Sequence, residues 1–198
     1  MVIKLKYGNT NTFLIRGNGG SILVDTDTAG TLPAFYKAIK ENGIQVNDIT
    51  YVIATHFHPD HMGIIGNLME QGVRLILLKS QPGLVHFSDD IFNKDHNLNF
   101  MPIDESKATV IAFGESRAFL HQLGIEGEII STPSHSKDSI SILLDDGTAL
   151  VGDLDPYDFI AAYGDNWELE ADWDNVLRSG PRMVFYGHMK EQQVTGRS

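Results

Sequence analysis

The chain opens on alternation. Ile3, Leu5 and Tyr7 are apolar while Lys4 and Lys6 between them are charged, the period-two pattern of a strand with one covered and one wet face. Thr12 to Arg16 and Ser21 to Asp25 follow, joined through Gly17-Asn18-Gly19-Gly20, and glycine and asparagine supply the positive φ angles of a hairpin turn. Between Leu32 and Gly43 the period lengthens. Leu32, Phe35, Tyr36 and Ile39 share a helical face, Pro33 lies in the first turn, and Gly43 is placed to close the end. Tyr51 to Ala54 then predicts a short buried strand. Met62, Ile65, Leu68 and Met69 recur at helical spacing up to Gly72, and Val73 to Leu78 reads as another strand.

From Ser80 to Lys107 the pattern weakens. A short helix is expected around Pro82 to Phe87, whereas Ser88 to Ser106 is polar and aperiodic, as suits either a segment over a site or a surface excursion. Thr109 to Phe113 predicts a strand and Glu115 to Leu123 a helix burying Phe119, Leu120 and Leu123, closed by Gly124. Strands follow at Glu128 to Ile130 and Ser139 to Leu144, then the turn Asp145-Asp146-Gly147 and the run Ala149 to Asp153. A glycine-turn hairpin thus ends in an aspartate twice, at Asp25 and Asp153, a hint of two related halves. Pro156 to Ala162 predicts a short helix, and Leu169, Trp173, Val176 and Leu177 a longer one ending near Gly180. Met183 to Tyr186 predicts the last strand, before Gly187-His188 and a short polar tail. No linker-like stretch divides residues 1–198, so a single domain is expected.

Composition narrows the function classes. With 42% hydrophobic and 21% charged residues in 198, the chain suits a soluble globular domain with its own core. It has no cysteine, which excludes disulfides, thiolate metal sites and cysteine nucleophiles together. A formal net charge of -11 with no basic run disfavours a nucleic-acid partner. The alternating start is unlike a secretory signal and no run is long enough to span a bilayer. A cytoplasmic protein acting on a small molecule, with no membrane partner and a homo-oligomer left open, is expected.

The chemistry concentrates in Thr55-His56-Phe57-His58-Pro59-Asp60-His61, directly after the run Tyr51 to Ala54. Four side chains able to ligate a metal fall within six residues, and imidazole with carboxylate suits zinc, iron or manganese. Collecting such residues just past apolar strands gives His56, His58, Asp60, His61, His135, Asp153 and His188. Seven ligands serve two ions if each takes three and one carboxylate is shared. His86, His96 and His121 read as ordinary polar residues. Asp25 is balanced between acceptor for a ligand histidine and strand-end turn residue. Tyr157, Phe159, Tyr163, Trp167 and Tyr186 suit a core better than a pocket wall.

This order, His-x-His-x-Asp-His followed by separate His, Asp and His, closely resembles the metallo-β-lactamase fold superfamily. The resemblance runs through Ile22 to Asp25, the ligand loop, Thr132 to Ser139, Gly152-Asp153-Leu154 and Gly187-His188. It implies an α/β fold, a four-layer αββα sandwich of two mixed β-sheets flanked by helices. It also implies two divalent metal ions in a binuclear centre, with zinc first and iron or manganese as alternatives. His56, His58 and His135 would hold the first, Asp60, His61 and His188 the second, and Asp153 would bridge them. The implied activity is a metal-dependent hydrolase using a metal-bridging hydroxide on a small ester, thioester or lactone, with Asp60 as the catalytic residue that orients it. A bridging aspartate resembles the glyoxalase II/lactonase-like branch, without its extra C-terminal helical domain. The alternatives are a mononuclear iron persulfide dioxygenase using His56, His135 and Asp153, or a noncatalytic metal or ligand sensor. One departure concerns His135: relatives commonly carry glycine before it, whereas Ser134 here is less free to adopt a left-handed backbone.

Overall fold

The structure, a computed structural model, describes residues 1–164 and 166–194, and the side chains of His96 and Tyr163 lie outside that description. The first half contains strands β1 (Val2–Leu5), β2 (Thr12–Arg16) and β3 (Ser21–Val24), then helix α1 (Leu32–Glu41), strand β4 (Tyr51–Ile53), helices α2 (Pro59–Met62) and α3 (Ile65–Glu70), strand β5 (Arg74–Leu78), the single turn α4 (Asp89–Phe92) and strand β6 (Thr109–Ile111). The second half contains α5 (Ser116–Gln122), β7 (Gly127–Ser131), β8 (Ile140–Leu144), β9 (Thr148–Leu150), α6 (Phe159–Tyr163), α7 (Trp167–Arg178), β10 (Met183–Phe185) and β11 (Gln192–Gln193).

Two mixed sheets result. Strands β1 to β6 lie in sequential order, antiparallel from β1 to β3 and parallel from β3 to β6, with Leu5 opposite Thr12, Phe13 opposite Val24 and Ile22 opposite Tyr51. The second sheet runs β11-β10-β9-β8-β7, and only the β9 to β10 pair is parallel. Each sheet therefore carries a hairpin, β2-β3 or β8-β9, whose second strand pairs in parallel with a later one. That is the relation hinted at by Asp25 and Asp153.

The period-two rule assigns the layers. On β3, Ile22 and Val24 face Ile129, Ile140, Ile142 and Leu150 of the other sheet, whereas Leu23 faces outward onto Phe35, Ile39, Ile65 and Leu68. On β8, Ile142 points inward and Leu143 outward, joining Leu169, Trp173 and Val176 of α7. Strands buried on both faces read as continuous apolar runs, which is why the central strands were legible. Helix, sheet, sheet and helix stack as the αββα sandwich.

Three elements differ from expectation. The helix read from Met62 to Gly72 is broken: α2 ends at Met62 and α3 starts at Ile65. At the break Gly63 lies against the Thr28–Ala29 backbone, where any Cβ would collide, and its N–H donates to Asp27 O at 3.0 Å. Pro82 to Phe87 forms turns, and the helical turn comes later, at α4. The stretch 88–106 is packed, because Phe92 and Ile103 are buried in the outer core and Phe92 lies against Phe100 with ring centroids 4.6 Å apart. Tyr36, expected on the buried face of α1, is exposed and donates its hydroxyl to Gln71 Oε1.

Candidate metal centre

All the loops that carry predicted ligands leave strands at one edge of the sandwich: after β4, β7, β9 and β10. The β4 loop is anchored at Thr55 and at Phe57, on either side of His56. Thr55 donates its N–H to Asp25 Oδ1 at 2.6 Å and its hydroxyl to Asp25 Oδ2 at 2.9 Å. Phe57, between His56 and His58, is buried in the outer core. Its N–H donates to Asp138 Oδ2 and its carbonyl accepts from Ser88 Oγ. Pro59 then opens α2, which carries Asp60 and His61; proline suits the first helical turn, where its missing N–H costs nothing.

The seven predicted ligands converge. His58 Nδ1 lies 3.0 Å from His56 Nε2 and 3.2 Å from His135 Nε2. His188 Nε2 lies 3.1 Å from Asp60 Oδ2 and 3.3 Å from His61 Nε2. Asp153 stands between these triads, with Oδ1 3.3 Å from His61 Nε2 and Oδ2 3.4, 3.8 and 3.9 Å from His188, His135 and His56. Gly152 and Gly187 allow that placement. Gly152 has φ +57° and abuts Thr55, and a Cβ on Gly187 would strike Asp153 Oδ1. His135 arrives without the feared strain, since Asp25 and Asn99 are the only non-glycine residues at positive φ among those described.

A further set of polar side chains holds these loops, of which the sequence singled out only Asp25. Asp25, at φ +59°, is both a turn residue and a partner of His61, whose Nδ1 lies 3.1 Å from Asp25 Oδ2. Buried Asp27 accepts the N–H groups of Asn9 and Thr10, and the loop so held reaches the site. Thr10 donates its hydroxyl to Asp60 O at 2.7 Å, and Asn11 Nδ2 donates to the carbonyls of Tyr186 and Met189, each at 2.8 Å. On the other side Asp172 Oδ2 accepts from Ser134 N at 2.7 Å, and Trp173 Nε1 donates to Asp155 O. Asp172 did carry a signal, as a carboxylate on the buried face of α7 with Leu169, Trp173 and Val176. Asp27, Asp138 and Asn11 sit in polar stretches with no periodicity to mark them.

The two triads differ electrostatically. Burial, with His61 nearby, pushes His56 down to about 2, and burial also lowers His135. Burial opposes protonation of His61, but Asp25 and Asp153 outweigh it and raise that imidazole to about 10. Hydrogen bonds to Asp153 and Asp60 raise His188 to about 10, and the His188 contact in turn holds Asp60 at about 2. Burial pushes Asp153 up, yet His188 and His61 keep it well below the usual carboxylate range.

The donor set fits a cation. Among the described residues, His56/His58/His135, His56/His61/Asp153 and Asp60/His61/His188 each bring their ligand atoms within 4.8 Å of one another. Asp153 Oδ1 is buried without a hydrogen-bond partner, a cost that native interiors rarely leave unmet. Nitrogen and oxygen donors without sulfur match zinc, iron or manganese. Of the other histidines, His86 and His121 pair with Asp89 and Glu126 on the surface, and the side chain of His96 lies outside the described residues. Of the aromatics, Tyr186 lines a cavity of about 200 Å³ with His135, Asp153 and His188. Tyr157 packs edge-on against Trp173, Trp167 is exposed, and the side chain of Tyr163 lies outside the described residues.

Comparison with known proteins shows relatives along most of the chain. A probable metallo-hydrolase of Methanocaldococcus jannaschii is 31% identical over 172 residues, covering 85% of this chain and 77% of its own length. A beta-lactamase-like protein 2 homolog of Drosophila melanogaster is 22% identical over 90% of this chain, which spans 58% of that longer relative. The crystal structure of the B3 metallo-β-lactamase BLEG-1 superposes with a TM-score of 0.68 at 21% identity, covering 98% of this chain and 94% of that one; this likeness concerns the fold. No helix among the described residues is long and apolar enough to cross a membrane. The model of the metallo-beta-lactamase superfamily matches residues 5–188, from β1 to the last predicted ligand, and the chain belongs to that superfamily.

Proposed function

We propose that this chain is a single-domain hydrolase that holds two divalent metal ions and cleaves a small ester, thioester or lactone. The observation that carries the reading is the position of Asp153, in contact with members of both triads. His56, His58 and His135 would hold one ion, Asp60, His61 and His188 the other, and Asp153 both. When bound, such ions supply a nucleophilic water near neutral pH and take up charge developing on the substrate oxygen. The chain's own contributions are orientation and charge. Asp25 fixes the ring of His61 from behind, and a partner of this kind sets the tautomer and basicity of a metal-binding imidazole. Asp60, held ionised by His188 and half-exposed at the mouth of the cluster, offers a carboxylate that can orient a water by accepting a hydrogen bond from it.

The test is elemental analysis of protein purified without chelator, followed on the same sample by a panel of esters, thioesters and lactones. Two zinc, iron or manganese per chain and turnover are expected. In Asp153→Ala both ions should weaken together and turnover should fall by on the order of a thousandfold. Full turnover by metal-stripped protein, or one iron per chain with substrate-dependent oxygen uptake, would overturn the reading.

A further inference from the structure

The two sides of the cluster are chemically unlike. On the His188 side the adjoining cavity includes exposed Asp155 and Met189. On the His58 side a second cavity of about 210 Å³ is lined by Phe57, Leu84, Phe87, Lys137 and Asp138. Phe87 is 68% exposed, and its ring centroid lies 6.1 Å from that of His58. A lone exposed aromatic ordinarily means little. This one is held outward by its neighbours: Val85 and Ser88 are fully buried, and Ser88 Oγ donates to Phe57 O at 2.9 Å. The backbone at Phe87 is therefore anchored on both sides, and the ring stands at the lip of the site, placed to cover an apolar group.

Lys137 supplies the second half of the pattern. It is exposed and makes no ion pair among the described residues. The adjacent carboxylate of Asp138 is engaged elsewhere, accepting from Phe57 N at 2.7 Å and from Ser136 Oγ at 2.8 Å. In a chain of net charge -11, an uncommitted ammonium beside an apolar wall selects for an anion.

We propose that the substrate arm on the His58 side is apolar and ends in a carboxylate or comparable anion. The substrate class is then an ester or thioester with an acidic, apolar arm, such as a half-ester of a dicarboxylic acid, rather than a neutral short-chain ester. The arm lies along Phe87 and Leu84 and its terminal anion meets Lys137. This rests on the hydrolytic reading above, in which water adds across the acyl C–O or C–S bond to release acid and alcohol or thiol. It adds which substrate is taken.

The test uses zinc-loaded protein and matched pairs of esters whose phenylpropyl arm ends in carboxylate or in carboxamide, with the arm on the acyl side in one series and on the alcohol side in another. In at least one series the carboxylate should be preferred in kcat/KM by about fivefold at low salt, the scale of an exposed ion pair. The preference should shrink with added salt and fall to near one in Lys137→Gln. Phe87→Ala should weaken both members of a pair by about tenfold relative to the corresponding methyl ester, with unchanged melting temperature as the check on folding. No preference, or one that persists in Lys137→Gln because the ions themselves attract the carboxylate, overturns the proposal. If no ester, thioester or lactone of the wider panel is hydrolysed, the hydrolytic reading fails on its own. Calorimetric titration with the matched non-hydrolysable acid and amide then decides the arm: tighter binding of the acid, lost in Lys137→Gln, supports it, and equal binding refutes it.

Discussion

The first triad and the second have the same number of ligands but opposite internal chemistry. Among His56, His58 and His135 the rings stack edge-on with centroids 4.4 to 5.0 Å apart, and the nearest carboxylate, Asp153, stays 3.8 to 3.9 Å from His135 and His56. Around His61 and His188, three carboxylates lie within 3.1 to 3.4 Å. In the first triad burial disfavours protons on His56 and His135, whereas in the second the carboxylates hold protons on His61 and His188. A cation entering the first displaces little. One entering the second must displace protons from imidazoles raised to about 10. Metal competes with protons for imidazole nitrogen, so with His56 and His135 lowered and His61 and His188 raised, the first site should take its ion the more tightly.

The largest expected effect breaks this comparison by deletion. His58→Ala should abolish the tight equivalent of zinc, whereas His188→Ala should keep it and lose only the weaker one, both with turnover down by on the order of a hundredfold or more. Metal titration against a competing chelator reads the difference, and equal loss in the two variants would show that the triads do not load independently. Next in size is Asp25→Asn, which removes the charge behind His61 while keeping a hydrogen-bonding group near Thr55. Affinity for the second equivalent should fall by about ten- to a hundredfold, and the first should barely change. An unchanged second affinity would reduce Asp25 to its turn role.

The smallest effect is a pH dependence with opposite signs for the two states. In metal-free protein His188 is raised from about 6.5 to about 10, so the stability it contributes is fully present below pH 6.5 and is lost as pH rises through 10. The melting-temperature gap between wild type and His188→Ala should narrow over that window. Binding of the second metal equivalent should strengthen over the same window, because its ligands bind as neutral imidazoles. Parallel trends in the two measurements would count against the proton network.

How much of this was legible depended on whether a residue announced itself by period or by company. The central strands were readable because both faces are buried, and the β4 loop because four ligands crowd six positions. The helix after His61 was misjudged at Gly63, where close approach of two backbones overrides a period that continues past the break. Pro82 to Phe87 looked helical by composition, yet turn hydrogen bonds from Leu84 N to Gln81 O and from Phe87 N to Leu84 O shape it instead. The supporting aspartates were the hardest to read. Asp27 and Asp138 act across 17 and 81 residues of sequence, and no local pattern records a partner so distant. Asp172 alone broke a visible rule, a charge on a buried helical face.

The contacts of Asn11 also carry a consequence for the order in which the molecule assembles. Its bonds to Tyr186 and Met189 span 175 and 178 residues, and His61 meets His188 across 127, whereas His56 and His58 are two residues apart and His58 and His135 are separated by 77. Closing the longer loops costs more chain entropy, and such pairings are characteristically late. The β4 loop can therefore gather donors for a cation while the two ends of the chain are still apart, and the second triad closes only when they meet. The same seam is the natural place for the native protein to open first. Release of the second ion would then keep time with fraying of the two ends.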